Sequence, residues 1–156
     1  LSYMKPVIRI KKEIEPRSFH PSGGGIEYVA NRIIVVNAGR SAAKNCKGYI
    51  VTENAKERVC WTVLKERPNA TINAKDEERL DFCAFLRIPD NIPQWDPFPP
   101  KIIAPTEEGW VHPQAPNCRS VEGLTECAVC ITADNAEPVS KRVRFNVNRN
   151  EIEIID

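Results

Sequence analysis

The sequence lacks a long apolar run, a net charge and a helical pattern. No stretch of about 18 residues is continuously apolar, so we predict no membrane span in this chain. The 22 basic and 21 acidic residues leave a net charge of +1, which argues against nucleic-acid binding because little would attract a polyanion from a distance. No segment repeats its apolar residues at the period of an amphipathic helix. These absences favour an all-β protein.

Residues that carry catalytic chemistry are also scarce. The chain has two histidines, His20 and His112, and neither stands in a context typical of a Ser or Cys nucleophile. The three glycines at residues 23–25 lack the spacing and the following Lys-Ser/Thr of a phosphate-binding loop. We therefore predict that the protein is not an enzyme and binds no cofactor.

The start of the chain shows neither a charged leader nor an apolar signal segment, which predicts no signal peptide. It begins at Leu1 without an initiator Met, so we expect a fragment of a longer chain. A chain of 156 residues can bury roughly 70% of its unfolded surface without disulfides. Residues 1–156 are predicted to form a single β-sandwich domain.

Alternation with a period of two is the main structural signal in the sequence. It is clearest at residues 80–88, 125–132 and 142–147, where apolar and polar residues alternate. In the first of these, Cys83 and Phe85 are expected on the less buried face. With turn residues between the apolar runs, this pattern predicts an all-β, antiparallel, immunoglobulin-like sandwich of about seven to nine strands.

Two further strand predictions concern single residues. Val59 and Trp61 share one face of an extended segment, and the size of Trp61 predicts that this face is the core face. In the first strand, which begins near Val7, the pair Glu15-Pro16 is expected to end the strand because proline cannot donate a ladder hydrogen bond.

The chain is organised around residues 32–52, where two apolar runs flank a turn. Residues 33–36 are β-branched and predict a buried strand. Asn37 can bond its own backbone, and Gly39 is expected to supply a positive φ at the turn. The strand, turn and return strand, carried by Val35, Asn37, Gly39, Ala43 and Asn45, resemble the early strands of CARDB-type (cell-adhesion-related) immunoglobulin-like domains. The resemblance implies a module that binds or spaces other molecules, and it implies no catalytic residue.

Most of the six cysteines lie within apolar runs, which predicts reduced, buried thiols and favours a cytoplasmic location. The sequon at residues 69–71 is the one feature typical of an exported chain. An alternative is a small zinc-binding or enzymatic domain, because His112, Cys118, Cys127 and Cys130 are ligands that zinc prefers. Three residues along a strand place Cys127 and Cys130 on opposite faces, so the favoured prediction is that no metal binds.

Residues 89–116 contain eight of the 13 prolines and four aromatic or histidine candidates for a binding site: Trp95, Phe98, Trp110 and His112. Long aromatic loops in compact domains are commonly functional, and Trp contributes much of the binding energy at interfaces. We therefore predict a non-catalytic interaction or accessory module that contacts a protein partner, or a neighbouring domain of the same polypeptide, through these loops. A carbohydrate-binding module using Trp95 and Trp110 is the second alternative.

Overall fold

The computed structural model describes residues 4–19, 27–53, 56–62, 69–87, 94–97, 105–106, 109–110, 119–120, 125–146 and 149–156. These residues form β-strands and turns without an α-helix. The strands are β1 (Ile8–Phe19), β2 (Glu27–Asn37), β3 (Ala43–Val51), β4 (Lys56–Trp61), β5 (Ala70–Ile72), β6 (Glu77–Arg87), β7 (Gln94–Pro97), β8 (Pro105–Thr106), β9 (Gly109–Trp110), β10 (Arg119–Ser120), β11 (Glu126–Ala133), β12 (Ala136–Asn146) and β13 (Glu151–Ile154).

All strand pairs in the described part of the chain are antiparallel. The main sheet follows the order β1-β2-β6-β4-β3-β11-β12-β13, with β5 beside β3 and with β7 and β10 beyond β6. Nine of the described strands have four residues or more. The predicted all-β antiparallel class is therefore confirmed, while the comparison with immunoglobulin-like domains stays a prediction.

The sheet bends at β4, because this strand pairs with two neighbours in turn. Its first part, through Val59, pairs with β3, and its end, Cys60 and Trp61, pairs with β6. The half containing β1, β2 and β6 therefore faces the half containing β3, β11, β12 and β13, with the core between them. At the other side, β1 lies against β12 and β13, so the sheet nearly closes on itself. We call this line of approach the seam.

Trp61 faces the core, as predicted from its strand pattern. Its side chain is 1% exposed, and its indole Nε1–H donates a hydrogen bond to the Cys46 carbonyl at 3.0 Å. The alternation in β11 and β12 also holds, since Val129 and Val143 are fully buried and point inward. The inward positions that the two-residue alternation predicts for β11 and β12 thus belong to the core.

The predicted alternation in β6 is wrong after Phe82. Asn31 of β2 pairs with Cys83, whereas the next residue, Arg32, pairs with Asp81, so Phe82 is an extra residue in a β-bulge. The bulge reverses the faces that follow it, and Cys83 and Phe85 enter the core. Phe85 then meets Phe145 of β12 edge to face, with ring centroids 5.8 Å apart.

The prediction that Glu15-Pro16 ends the first strand is also wrong, because β1 continues to Phe19. Among the described strands, β1 pairs only with β2, so it is an edge strand. Proline is tolerated on an edge strand, where a missing N–H need not break a ladder on both sides.

Candidate functional site

A cleft of about 740 Å³ opens at one end of the seam. One wall is the segment that leads into β1, and the other is the β11–β12 turn with the start of β12. Ala136 and Val139 pack against the hydrophobic core while remaining half-buried, so apolar surface is accessible inside the cleft. The lining residues are 4–8, Ser41, 134–137 and Val139.

Asn37 positions the first wall. Its side chain is fully buried, and its Oδ1 accepts hydrogen bonds from the Val7 N–H at 3.1 Å and the Gly39 N–H at 3.0 Å. Its Nδ2 donates to the Ser41 carbonyl at 2.8 Å and the Ile72 carbonyl at 2.9 Å. The predicted bond from Asn37 to its own turn is therefore present, but the same amide also joins two distant segments, at Val7 and at Ile72. The wall is held in place by a fully used buried amide.

Gly39 packs against the same wall, and its predicted positive φ is wrong. Its φ lies outside the left-handed region, but a Cβ at this position would lie 2.4 Å from the Lys5 carbonyl oxygen and 2.6 Å from the Val7 nitrogen. Glycine is needed here because two backbones approach closely. The Ala38 N–H completes the contact by donating to the Val7 carbonyl at 2.8 Å.

The second wall is fixed by the turn at Asp134 and Asn135. The Asn135 side chain accepts from the Lys44 N–H and donates to the Ala42 carbonyl, both at 2.9 Å. Asn45, whose φ is 55°, donates from Nδ2 to both carboxylate oxygens of Asp134 at 3.2 and 3.3 Å. Side-chain bonds to backbone groups thus hold this turn against the β2–β3 connection, and the cleft is preformed.

The cleft contains the exposed apolar surface of the described residues. Met4 is 47% exposed and Val7 is 43% exposed, and they are the exposed large hydrophobic residues among those whose side chains the structure describes. Both line the cleft. Exposed apolar residues gathered in a concave site are typical of an interaction surface.

Strand edges border the cleft on both sides. The Val7 N–H donates to Asn37 Oδ1, and the Val7 carbonyl accepts from the Ala38 N–H, so the backbone groups of Val7 face β2. By alternation, the N–H and the carbonyl of Ile8 face the cleft. On β12, the Arg142 carbonyl accepts from the Ile155 N–H, so by alternation the backbone groups of Ser140 face the same way. Within the described residues, no strand pairs with these edges at Ile8 or Ser140.

Two of the four predicted loop residues lie on described strands. Trp95 lies on β7, opposite Phe85 on one side and Arg119 on the other. Trp110 lies in the separate two-stranded β8–β9 sheet, opposite Pro105. Phe98 and His112 lie outside the described residues. A site shared by these four residues stays a prediction.

Two of the four metal-ligand candidates lie on opposite faces of β11. Cys127 is 8% exposed and belongs to the core, whereas Cys130 is half-buried on the outer face. His112 and Cys118 lie outside the described residues. In the part of the chain that the structure describes, no group of three or more His, Cys, Asp or Glu side chains converges as a metal site would require.

The buried thiols are poorly suited to chemistry. Burial raises the pKa of the Cys46 thiol to about 11 and that of Cys127 to about 12. Burial, together with the nearby charge of Asp81, raises the pKa of Cys60 to about 12. Cys46, Cys60 and Cys127 form no disulfide, and a thiol with a raised pKa is a weak nucleophile near neutral pH.

Alkylation at pH 8 is expected to separate these cysteines. Cys130 should react with iodoacetamide at least about tenfold faster than Cys46, Cys60 and Cys127, because it is the accessible thiol among them. Time-resolved peptide mapping by mass spectrometry measures each rate, with the urea-unfolded protein as the control in which the rates converge. Equal rates in the folded protein would contradict this assignment.

The same pKa shifts give a pH dependence of stability. Above about pH 9 the unfolded thiols ionise while the folded ones keep their protons, so the unfolded state binds fewer protons. The thiol contribution therefore destabilises the fold as the pH rises from about 9 toward 11. Urea unfolding measures the free energy of unfolding at pH 9 and pH 11. Between these values it is expected to fall less for Cys127→Ala than for the wild type.

Asp81 lies on the outer face of β6 and is 2% exposed, so its carboxylate is a buried ionisable group. Arg32 Nε donates to Asp81 Oδ1 at 3.0 Å, and the Thr62 hydroxyl donates to the same oxygen at 2.7 Å. A buried carboxylate paired in this way is a structural element that fixes the β2–β6 register. The neighbouring thiol of Cys60 is protonated at neutral pH.

The cations on the outer face of β12 are paired with acids. Arg142 lies 2.8 Å from Asp156, and Arg144 lies 3.2 Å from Glu153. Glu126 lies near both arginines, at 3.8 and 3.7 Å. The hydrogen bond from Arg142 lowers the pKa of the Asp156 carboxyl. These exposed pairs make a solvated face of mixed charge.

A scan against models of protein families, a search of curated proteins and a search of solved structures each found no match for this chain. Within the described residues we also find no apolar helix of membrane-spanning length.

Proposed function

We propose that this chain is a non-catalytic β-sandwich interaction module that binds an extended polypeptide segment in the cleft at the seam. The segment belongs to a protein partner or to a neighbouring domain of the same polypeptide. The observation that carries the proposal is that Met4 and Val7, both exposed, line a cleft between two strand edges. An extended peptide is the ligand that uses apolar contacts and strand edges together.

The size of the cleft supports a peptide. A volume of about 740 Å³ lies in the range of sites that bury small ligands, and it holds a few residues of extended chain. The walls are held by Asn37 and Asn135, so little ordering entropy is lost on binding. A preformed site of this kind favours recognition over chemistry.

The aromatic loop residues remain a second predicted contact surface of the same module. The predictions of a zinc-binding or enzymatic domain and of a carbohydrate-binding module gain no support from the described residues. Cys127 and Cys130 lie on opposite faces, and Trp95 and Trp110 lie on strands of different sheets. The cleft is therefore the site to test first.

Val7→Lys is expected to abolish peptide capture. A random heptapeptide library displayed in many copies on phage is panned in parallel on the wild type, Val7→Lys and Thr71→Lys. Multivalent display retains weak single-site binders. Lysine at Val7 removes an apolar contact worth about 1.5 kcal/mol and inserts a charge, so recovery is expected to fall at least about tenfold.

Thr71→Lys is the matched control, because it adds the same charge at an exposed position outside the cleft lining. It should recover as many phage as the wild type, and all three proteins should share one circular dichroism spectrum and one urea midpoint. Equal recovery on Val7→Lys, or no enrichment on the wild type, would overturn the proposed function.

A further inference from the structure

Resting on the proposed function, we infer that the occupant of the cleft is a short basic strand with an apolar residue, running antiparallel to β12 along the line of β13. Two observations carry this inference: the direction in which the β12–β13 ladder continues, and the charges of the cleft lining.

The ladder gives the direction and length of the occupant. Val143 pairs with Ile154, and the Ile155 N–H still bonds to the Arg142 carbonyl beyond the end of β13. Positions further along this line oppose the stretch of β12 from Ser140 back to Ala136. A segment of about five residues therefore fits, with its N-terminal end nearest Asp156. It runs antiparallel to both borders of the cleft, because β13 is antiparallel to β12 and its end leads toward the start of β1.

Prolines in the two borders limit the length of the occupant. Ile8 lines the cleft and Ser140 lies on the β12 edge beside it, so each can offer an N–H and a carbonyl to an added strand. Pro138 of β12 has no N–H to offer. Pro6, in the opposite wall, also has no N–H. Prolines on an edge limit the length of any added strand, so the site accepts a short segment and resists open-ended pairing.

The charges of the cleft lining indicate which side chains the occupant carries. The ionisable residues of the lining are Lys5, Asp134 and Glu137, so the cleft carries one net negative charge. Asp134 is held in place by Asn45, and Glu137 is exposed on β12. A Lys or Arg opposite Glu137 gains a favourable interaction, whereas an acidic residue there is repelled. An apolar residue opposite Val139 covers the half-buried edge of the core.

The charge preference is tested on the peptides recovered from the phage library. On the wild type, Lys and Arg should exceed Asp and Glu by about threefold to fivefold relative to the input library, the range expected for one exposed ion pair. On Glu137→Arg the preference should reverse. Glu53→Arg is the control, because it makes the same change at an exposed position outside the lining, and it should leave the preference unchanged.

The outcomes separate the two proposals. Peptides enriched on the wild type without a charge preference, or with one that survives Glu137→Arg, would overturn this inference and leave the proposed function standing. No enrichment over Val7→Lys would overturn the proposed function itself. Dimerisation of the free protein in sedimentation velocity, lost in Val7→Lys, would mean that a second copy fills the cleft, which also overturns the inference.

The direction is tested with a selected peptide that carries a nitroxide at its N-terminus. Paramagnetic broadening of amide signals in NMR is expected at Arg142 and Ile155, which lie where the segment begins. Stronger broadening at Asn135 and Ala136 would place the N-terminus at the other end of the cleft and overturn the antiparallel orientation.

Discussion

Replacing Asn37 by alanine is expected to lower the free energy of unfolding by about 4 kcal/mol. Asn37 is fully buried, and its amide satisfies two backbone N–H groups and two backbone carbonyls from three parts of the chain. Alanine leaves these groups without the amide, and each buried group that loses its partner costs about 1 kcal/mol or more. In urea the midpoint should fall by about 2 M for a slope of about 2 kcal/mol/M.

Asn135→Ala is the matched control for this prediction. It removes an Asn side chain with two backbone bonds, but at an exposed turn where water replaces them. Its cost is expected to be about 1 kcal/mol or less. If Asn37→Ala costs no more than Asn135→Ala, the buried amide does not hold the wall of the cleft as described above.

Replacing Gly39 by alanine is expected to cost about 3 kcal/mol and to weaken peptide capture as well. The added Cβ would meet the Lys5 oxygen, the Pro6 Cα and the Val7 nitrogen at 2.4 to 2.6 Å. All three are backbone atoms, so the whole segment must move away from the turn. This segment is a wall of the cleft, and the displacement changes the shape of the site.

Gly48→Ala is the comparison variant, because a Cβ there would approach the Leu80 side chain at 2.5 Å. A leucine side chain can change its rotamer, so a smaller loss of about 1 to 2 kcal/mol is expected. Phage recovery should fall for Gly39→Ala and stay unchanged for Gly48→Ala. A larger loss of stability for Gly48→Ala would contradict this order.

The double variant Asn37→Ala, Gly39→Ala should lose less free energy of unfolding than the sum of the two single variants, because both substitutions act on one segment.

The class of fold could be predicted from the sequence because side-chain alternation reflects burial directly. The inward positions of β11 and β12, and the core face of Trp61, follow from a period of two with no competing helical pattern. Both errors on strands concern single residues. The bulge at Phe82 depends on how β2 pairs with β6, and the tolerance of Pro16 depends on β1 being an edge strand.

The cleft could not be predicted in the same way. Its walls come from the start of the chain, from Ser41 and from the β11–β12 turn, which are brought together by the sheet order. Asn37 and Gly39 did signal a turn, and the short-range bond of Asn37 was predicted correctly. The long-range partners of the amide are Val7 and Ile72, and neither contact can be predicted from residue spacing or periodicity.

The way β4 joins the two halves has a consequence for thermal motion. Opening the molecule along β4 breaks ladder bonds to both β3 and β6, whereas among the described strands the seam has no ladder between β1 and its neighbours β12 and β13. Spontaneous fluctuations should therefore concentrate at the seam, and amide protons of β1 should exchange with solvent sooner than those of β4. A peptide strand bound at the seam would slow this exchange. A ligand of only a few residues would therefore stabilise the contact between the two halves of the sheet.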